Sequence, residues 1–270
     1  MTSLDLLTSS EQGAASNLAG MLDLQNRERQ KIEKDITQQV MERLSTQFDP
    51  ENDYAIVEGE PDWNIGVVGI VASRVQREFY RPTFILGGSP DGMRGSGRSI
   101  KGFDLAAALG QCADLVNRHG GHAMAAGINL DSENINLFRK RLNDTARSSI
   151  GESELTPTLR LDGVTPLSIL TIDAIDSLQA LQPVGQGVAP VHLSVNDLEV
   201  DAPVRWMGAE KQHAKLHVTD GNSTVEVVYW NALGKSMPEG RFNLAVQPSI
   251  NIWRGNKSIQ LKMLDWQPSE

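Results

Sequence analysis

The chain has 270 residues, 40% of them hydrophobic, and a formal net charge of −9, which fits a folded protein with room for two cores and excludes a disordered or collagen-like chain. It contains no run of about 20 apolar residues and no basic start followed by an apolar stretch, so no membrane span or leader is expected and the expected location is cytoplasmic. Cys112, the single cysteine, excludes an intrachain disulfide and a thiolate-rich metal site. Its spacing from Leu109, Ala113 and Val116 reads as a thiol packed on one face of a helix. The acidic total argues against coating nucleic acid by bulk attraction, yet residues 64–147 hold 11 Lys and Arg against 7 Asp and Glu. A locally basic middle fits an anionic ligand held in one cleft.

From Glu11 to about Gln47 the chain favours helix and is stopped by Pro50. Leu18, Leu22, Ile32, Ile36, Val40 and Leu44 recur at helical spacing around a wholly polar centre, Gln25 to Lys31. The pattern suits either a connector buried at both ends or a surface helix. Residues 1–50 are accordingly expected to be a connector helix. A strand at Tyr54–Val57, a helix from Val67 to Phe79, a strand at Thr83–Leu86, a helix capped by Asp104 and ending near Gly120, an extended Ile128–Leu130 and a helix from Ser132 to about Ser149 follow. This alternation predicts an α/β domain over 51–150. Gly151–Glu154 reads as a linker. Beyond a helix near 171–181, short alternating runs at 191–200, 214–218, 224–230, 242–246 and 259–264 are separated by turns, which predicts a small, mostly β barrel over 155–270.

The stretch Gly120-Gly121-His122-Ala123-Met124-Ala125-Ala126-Gly127 combines paired glycines, one imidazole and small side chains. It suits either close approach of a phosphate or nucleotide to the main chain, with His122 supplying a hydrogen bond, or a helix end followed by a strand. Arg94-Gly95-Ser96-Gly97-Arg98-Ser99 offers a hydroxyl and a guanidinium fork for phosphate, or else a glycine-rich turn between strands. Neither a Gly-x-Ser-x-Gly elbow nor a Gly-x-x-x-x-Gly-Lys-Ser/Thr loop is present. No carboxylate and histidine cluster suited to metal-dependent phosphodiester cleavage can be assembled. His213 and His217 share a strand face but read as surface or packing residues. In the C-terminal part, Trp206, Lys211, Lys215, Trp230, Trp253, Arg254 and Lys257 mix rings with cations, a mixture that suits either single-stranded nucleic acid or tryptophans packed in a barrel core. Trp253, Arg254 and Lys257 are the foremost of these.

Taken in order and spacing, Trp63 to Arg74, Gly95-Ser96-Gly97-Arg98-Ser99, Gly102-Phe103-Asp104 and Gly120 to Gly127 resemble the second half of the RecJ exonucleases. Arg81-Pro82, Pro183 to Gly187 with Pro190, and Arg254 to Ser258 extend the likeness over nearly the whole chain. The resemblance implies a connector helix, a DHH-associated α/β domain and an oligonucleotide-binding (OB) barrel, with single-stranded DNA as ligand. It implies that Ser96 and Arg98 contact a terminal or adjacent phosphate, that Gly120, Gly121 and His122 lie along the strand, and that Arg27 or Arg29 adds to them. Asn64 departs from the family pattern, which has histidine there. The family's manganese or magnesium ions belong to an N-terminal domain with an Asp-His-His motif, which has no counterpart in these 270 residues. No cofactor is therefore expected in this chain, which should bind single-stranded DNA without cutting it. A separate catalytic domain or repair-complex proteins are the implied partners, with no membrane. The enzyme so implied is a 5′-to-3′ exonuclease of DNA repair and recombination. The alternatives are a catalysis-free binding or regulatory module, and a phosphoesterase for short oligonucleotides.

Overall fold

The computed structural model describes residues 2–89, 92–185 and 187–269. They form two compact units, Met1–Pro157 and Thr158–Glu270.

In the first unit, α1 (Thr2–Thr8) precedes α2 (Gln12–Gln47). Ile36, Val40 and Leu44, one turn apart on α2, are buried against Val68, Val71, Ala72 and Val75 of α3 (Val68–Phe79), the interdigitation expected of two apolar stripes. Glu33 is buried beside them and is held by Arg74, whose Nε lies 2.6 Å from Oε1 and whose Nη2 donates to Oε2 at 3.0 Å. The N-terminal half of α2 departs from the pattern of a helix buried at both ends. Leu18 and Leu22 are only half-buried, and Met21 and Leu24 are exposed, because the polar run from Gln25 to Lys31 interrupts the apolar stripe.

Five strands follow: β1 (Ile56–Gly59), β2 (Thr83–Ser89), β3 (Gly92–Arg98), β4 (Arg118–His122) and β5 (Ala125–Leu130). They pair in the order β1-β2-β3-β5-β4, with β1 and β2 parallel and the rest antiparallel. One face carries a core of Phe84, Leu86, Ala126, Ile128 and Leu130, closed by α4 (Leu105–Gly110) and α5 (Ile135–Ser149). Phe84 meets Phe138 of α5 edge to face at 5.4 Å. The other face, at Ile56 and Ile85, is covered by α3 and the C-terminal half of α2.

Two expectations change here. The helix after Asp104 is short: the Asp104 carboxylate caps it by accepting from the Ala107 amide at 3.0 Å, and turns replace helix from Gln111. These turns still bury Cys112 and Val116 in the core, where desolvation pushes the Cys112 thiol up to about 11. The glycine-bearing segments are strands. Gly95 to Arg98 lies in β3, and Gly120 to His122 is β4, joined to β5 through Ala123 and Met124.

The second unit is a closed barrel of β7 (Leu193–Val200), β9 (His213–Thr219), β10 (Thr224–Tyr229), β11 (Phe242–Trp253) and β12 (Asn256–Pro268). β6 (Gly163–Val164) extends β7, and β8 (Arg205–Met207) extends β9. Pairing runs β7-β11-β12-β10-β9 and returns to β7, with β10 and β12 parallel. In barrel numbering this is 1-4-5-3-2-1, a five-stranded OB barrel. Val195, Leu198, Leu216, Val218, Val227, Phe242, Leu244 and Leu261 fill it, with Leu167 and Leu170 of the preceding loop; Ile175 of α6 (Ile172–Ser177) is buried too. Sequence periodicity missed β8 and the full length of the β11–β12 hairpin, whose outer half is polar and whose two-residue turn, Arg254-Gly255, has positive φ at both positions. Gln186 of the Pro183–Gly187 motif lies outside the described residues.

Candidate nucleic-acid interface

Opposed residues on neighbouring antiparallel strands project to the same face, as do residues two apart on one strand. The register places Ser96 opposite Gly127 and Gly127 opposite Gly120. It likewise places Arg98 opposite Ala125 and Ala125 opposite His122. These six residues therefore share the sheet face that α3 covers only as far as β3. Gly69 of α3 comes so close to β3 that a Cβ there would lie 3.0 Å from Ser96 Oγ and 3.2 Å from Arg98 Nη2. Beyond Arg98 the face is open. Ala125, Gly127, Gly120 and His122 are exposed, and a Cβ on Gly120 would meet nothing within 4 Å. The result is a shallow trough two strands wide, about 10 Å from β3 to β4, floored by main chain and methyl groups.

Arg98 is set by its neighbours. Nη1 donates to Ser96 Oγ at 3.0 Å and to the Gly97 carbonyl at 2.8 Å, which turns the serine hydroxyl and the guanidinium toward one spot. Among the described residues no carboxylate lies within ion-pair distance of Arg98. A half-buried guanidinium without an acidic partner, next to a hydroxyl, is the donor set that an oxyanion satisfies.

Gly121 occupies the alternate row, opposite Ala126. At φ 146° a Cβ would strike the Ala125 carbonyl and the Ala126 Cα, both at 2.5 Å, so the hairpin itself requires glycine there. Arg27 and Arg29 lie on α2, away from the sheet rows. Arg27 pairs with Asp23 at 2.8 Å, both exposed. Arg29 donates to Asn26 at 2.8 Å and lines a shallow depression with Asn64, Gly66 and Val67. Asn64 uses its Oδ1 to accept from the Gly66 amide at 2.8 Å, just before α3.

On the barrel, Trp253 and Arg254 form the tip of the β11–β12 hairpin. Trp253 is 68% exposed, and the Arg254 guanidinium lies over its ring at 5.7 Å. Lys257 sits opposite the exposed Ile252. The segment between β7 and β9 supplies Trp206, while Trp230 follows β10 and stacks edge to face on His213 at 4.7 Å. His213 Nδ1 accepts from the Asn231 amide at 3.0 Å, so this imidazole is a packing group. Lys215 is bound to Glu226 at 2.7 Å. Burial works against the Glu226 carboxylate, but hydrogen bonds from Lys215 and Gln260 hold it below its usual range. Strands 2 and 3 of an OB barrel and the loops joining strands 1–2 and 4–5 are where this fold presents its ligand face. Trp206 lies between strands 1 and 2 and Trp253 at the junction of strands 4 and 5, while Trp230 lies just beyond the end of strand 3.

The architecture is that of a DHH-associated α/β unit followed by an OB barrel. Residues 52–148 match the DHHA1 domain model and residues 161–265 the RecJ OB domain model. The chain thus carries a DHHA1 domain followed by a RecJ OB domain. It is 34% identical to the single-stranded-DNA-specific exonuclease RecJ of Bacillus subtilis over 98% of this chain and 34% of that protein. It is 29% identical to RecJ of Escherichia coli K12 over 92% of this chain and 44% of that one. The crystal structure of RecJ from Thermus thermophilus in complex with Mg2+ superposes with a TM-score of 0.79 at 27% identity, covering all of this chain and 40% of that one. The chain thus spans between a third and a half of the length of these relatives. A second Thermus structure is a Mn2+ complex, with a TM-score of 0.77. Among the described residues of this chain, no group of three or more His, Cys, Asp or Glu side chains is placed to hold a metal ion. The described residues thus offer no donor set that fits a resident divalent cation. No helix among the described residues is long and apolar enough to cross a membrane.

Proposed function

We propose that this chain is the strand-holding portion of a RecJ-type 5′-to-3′ exonuclease of DNA repair and recombination, and that alone it binds single-stranded DNA without cutting it. The observation that carries the reading is the trough of β3, β5 and β4, where no carboxylate among the described residues is paired with Arg98. Ser96 and Arg98 are locked side by side at its wall, His122 stands across it, and only Gly and Ala side chains lie on the floor between them. A phosphate settles against Ser96 and Arg98, and the small residues let the sugar-phosphate chain lie on the main chain toward His122. The barrel's exposed tryptophans supply stacking surfaces for bases, which is sequence-tolerant because every base has a flat face. Hydrolysis belongs to a metal-bearing catalytic partner domain of the DHH type, the chain's principal partner together with repair-complex proteins.

Fluorescence anisotropy with a labelled 5′-phosphorylated single strand, an equal-length duplex, and the variants Arg98→Gln and His122→Ala tests this. Preferential single-strand binding that both substitutions weaken, with the strand intact after incubation with Mn2+, is expected. Equal binding of duplex, or affinity untouched by both substitutions, would overturn it.

A further inference from the structure

The trough has another row. Arg94 stands opposite Asn129, and Asn129 opposite Arg118, two residues along each strand from the Ser96–Gly127–Gly120 row. All three therefore share the open face, and both arginines are exposed. Every other arginine of the first unit is engaged. Arg43 pairs with Glu60, Arg74 with Glu33, Arg139 with Glu58 and Arg141 with Asp114. Arg81 is buried among carbonyls, Arg77 donates to Ser73 and Arg147 to Asn52. Arg27, Arg29 and Arg98 have the partners described above. Arg94 and Arg118 alone have no hydrogen-bond or ion-pair partner among the described residues. The one polar side chain between them, Asn129, has its Oδ1 buried and without a hydrogen bond. The acceptor that could have drawn in either guanidinium is thus withdrawn from the surface.

Two charged forks flanking a floor one strand wide, with no carboxylate among the described residues within ion-pair distance of either, make a site for a second oxyanion. Rows of the same face are spaced by two residues of strand, about 6.8 Å, the scale of one nucleotide in an extended single strand. We propose that Arg94 and Arg118 form a further phosphate subsite, which takes an internal backbone phosphate of the strand whose neighbouring phosphate is held by Ser96 and Arg98. The inference rests on the strand-holding reading above and adds that the strand extends beyond the Ser96 and Arg98 position along β3 and β5 to the next row.

The test is salt-dependent binding of a 5′-phosphorylated eight-nucleotide oligothymidylate to the full chain. The wild type is compared with Arg94→Gln/Arg118→Gln, with Arg94→Lys/Arg118→Lys and with Arg98→Gln. Loss of one phosphate contact lowers the slope of log affinity against log salt by about 0.7 for a single strand. The glutamine pair is expected to bind at least about tenfold more weakly at low salt with a slope reduced by that amount, and the lysine pair to recover most of the slope. These side chains are exposed, so circular dichroism of the variants should match the wild type. An unchanged slope and affinity in the glutamine pair, with Arg98→Gln still weakening binding, would overturn the subsite and leave the strand-holding reading in place. If Arg98→Gln also had no effect, the strand-holding reading would fall with it.

Discussion

At Gly95 and Gly97 of β3, glycine removes side chains that the core could not hold, whereas at Gly120 of β4 and Gly127 of β5 it removes side chains where space is free. A Cβ on Gly95 would lie 2.8 Å from Ile128 Cγ1 and 2.9 Å from Leu86 Cγ, and one on Gly97 would enter the Phe84 ring. Across the same sheet, a Cβ on Gly120 meets nothing, and the nearest atom to one on Gly127 is 3.8 Å away. The difference follows from face and cover. Gly95 and Gly97 point into the core closed by α4 and α5, while Gly120 and Gly127 point to the face that α3 leaves bare. Glycine at the first pair serves packing, and at the second it leaves the sheet surface low and open.

Four substitutions break or sharpen that comparison. Gly97→Val should be the most damaging, because overpacking a closed core costs on the order of 3 kcal/mol, visible as a lower urea midpoint. Gly120→Ala, on the same sheet, should stay within about 0.5 kcal/mol of the wild type. A large stability loss at Gly120 would erase the distinction. Arg98→Ala should weaken single-strand binding about 10- to 100-fold, the range for hydrogen bonds to a charged group, with an unchanged urea midpoint. Trp253→Ala at the hairpin tip should cost about 1 kcal/mol of affinity or somewhat more, the lower range of base stacking, again without loss of stability. A fall in the unfolding midpoint would instead make Trp253 a packing residue.

The smallest effect concerns the closed face. Cys112 is protonated at pH 8 because burial lifts it to about 11. Iodoacetamide should leave it unmodified in the folded chain and label it in urea. The unfolded thiol ionises near 9.0 and the folded one near 11, so this group lowers stability as pH rises between those values. Rapid native labelling at pH 8 would show that the α4 side of the sheet opens.

Much of this was legible in the sequence where one period dominates. The α3 helix, the C-terminal half of α2 and the barrel strands β9 and β10 carry clean apolar patterns that packing then realises. The glycine segments were harder to read. Arg94, Ser96 and Arg98 alternate with Gly95 and Gly97 at the period of a strand, but glycine carries no hydrophobic signal, and the apolar groups that fill its space, Phe84, Leu86 and Ile128, come from neighbouring strands. The pairing of Arg94 with Arg118 is not legible in the sequence. They lie far apart in sequence, and only the register through Asn129 puts them in one row. Gly121 shows the converse, since the motif marks it as one of a pair while the fold gives it a close strand contact, distinct from the open position of Gly120.

The most direct test is amide NMR mapping of the full chain as a 5′-phosphorylated single strand is added. Shifts are predicted in the first unit at Ser96, Arg98, Gly120, His122, Ala125 and Gly127, with the core-facing amides of α4 and α5 unmoved. Perturbation centred on α4 and α5, or none on β4 and β5 at saturating strand, would contradict the assignment of the bare face as the surface that holds DNA.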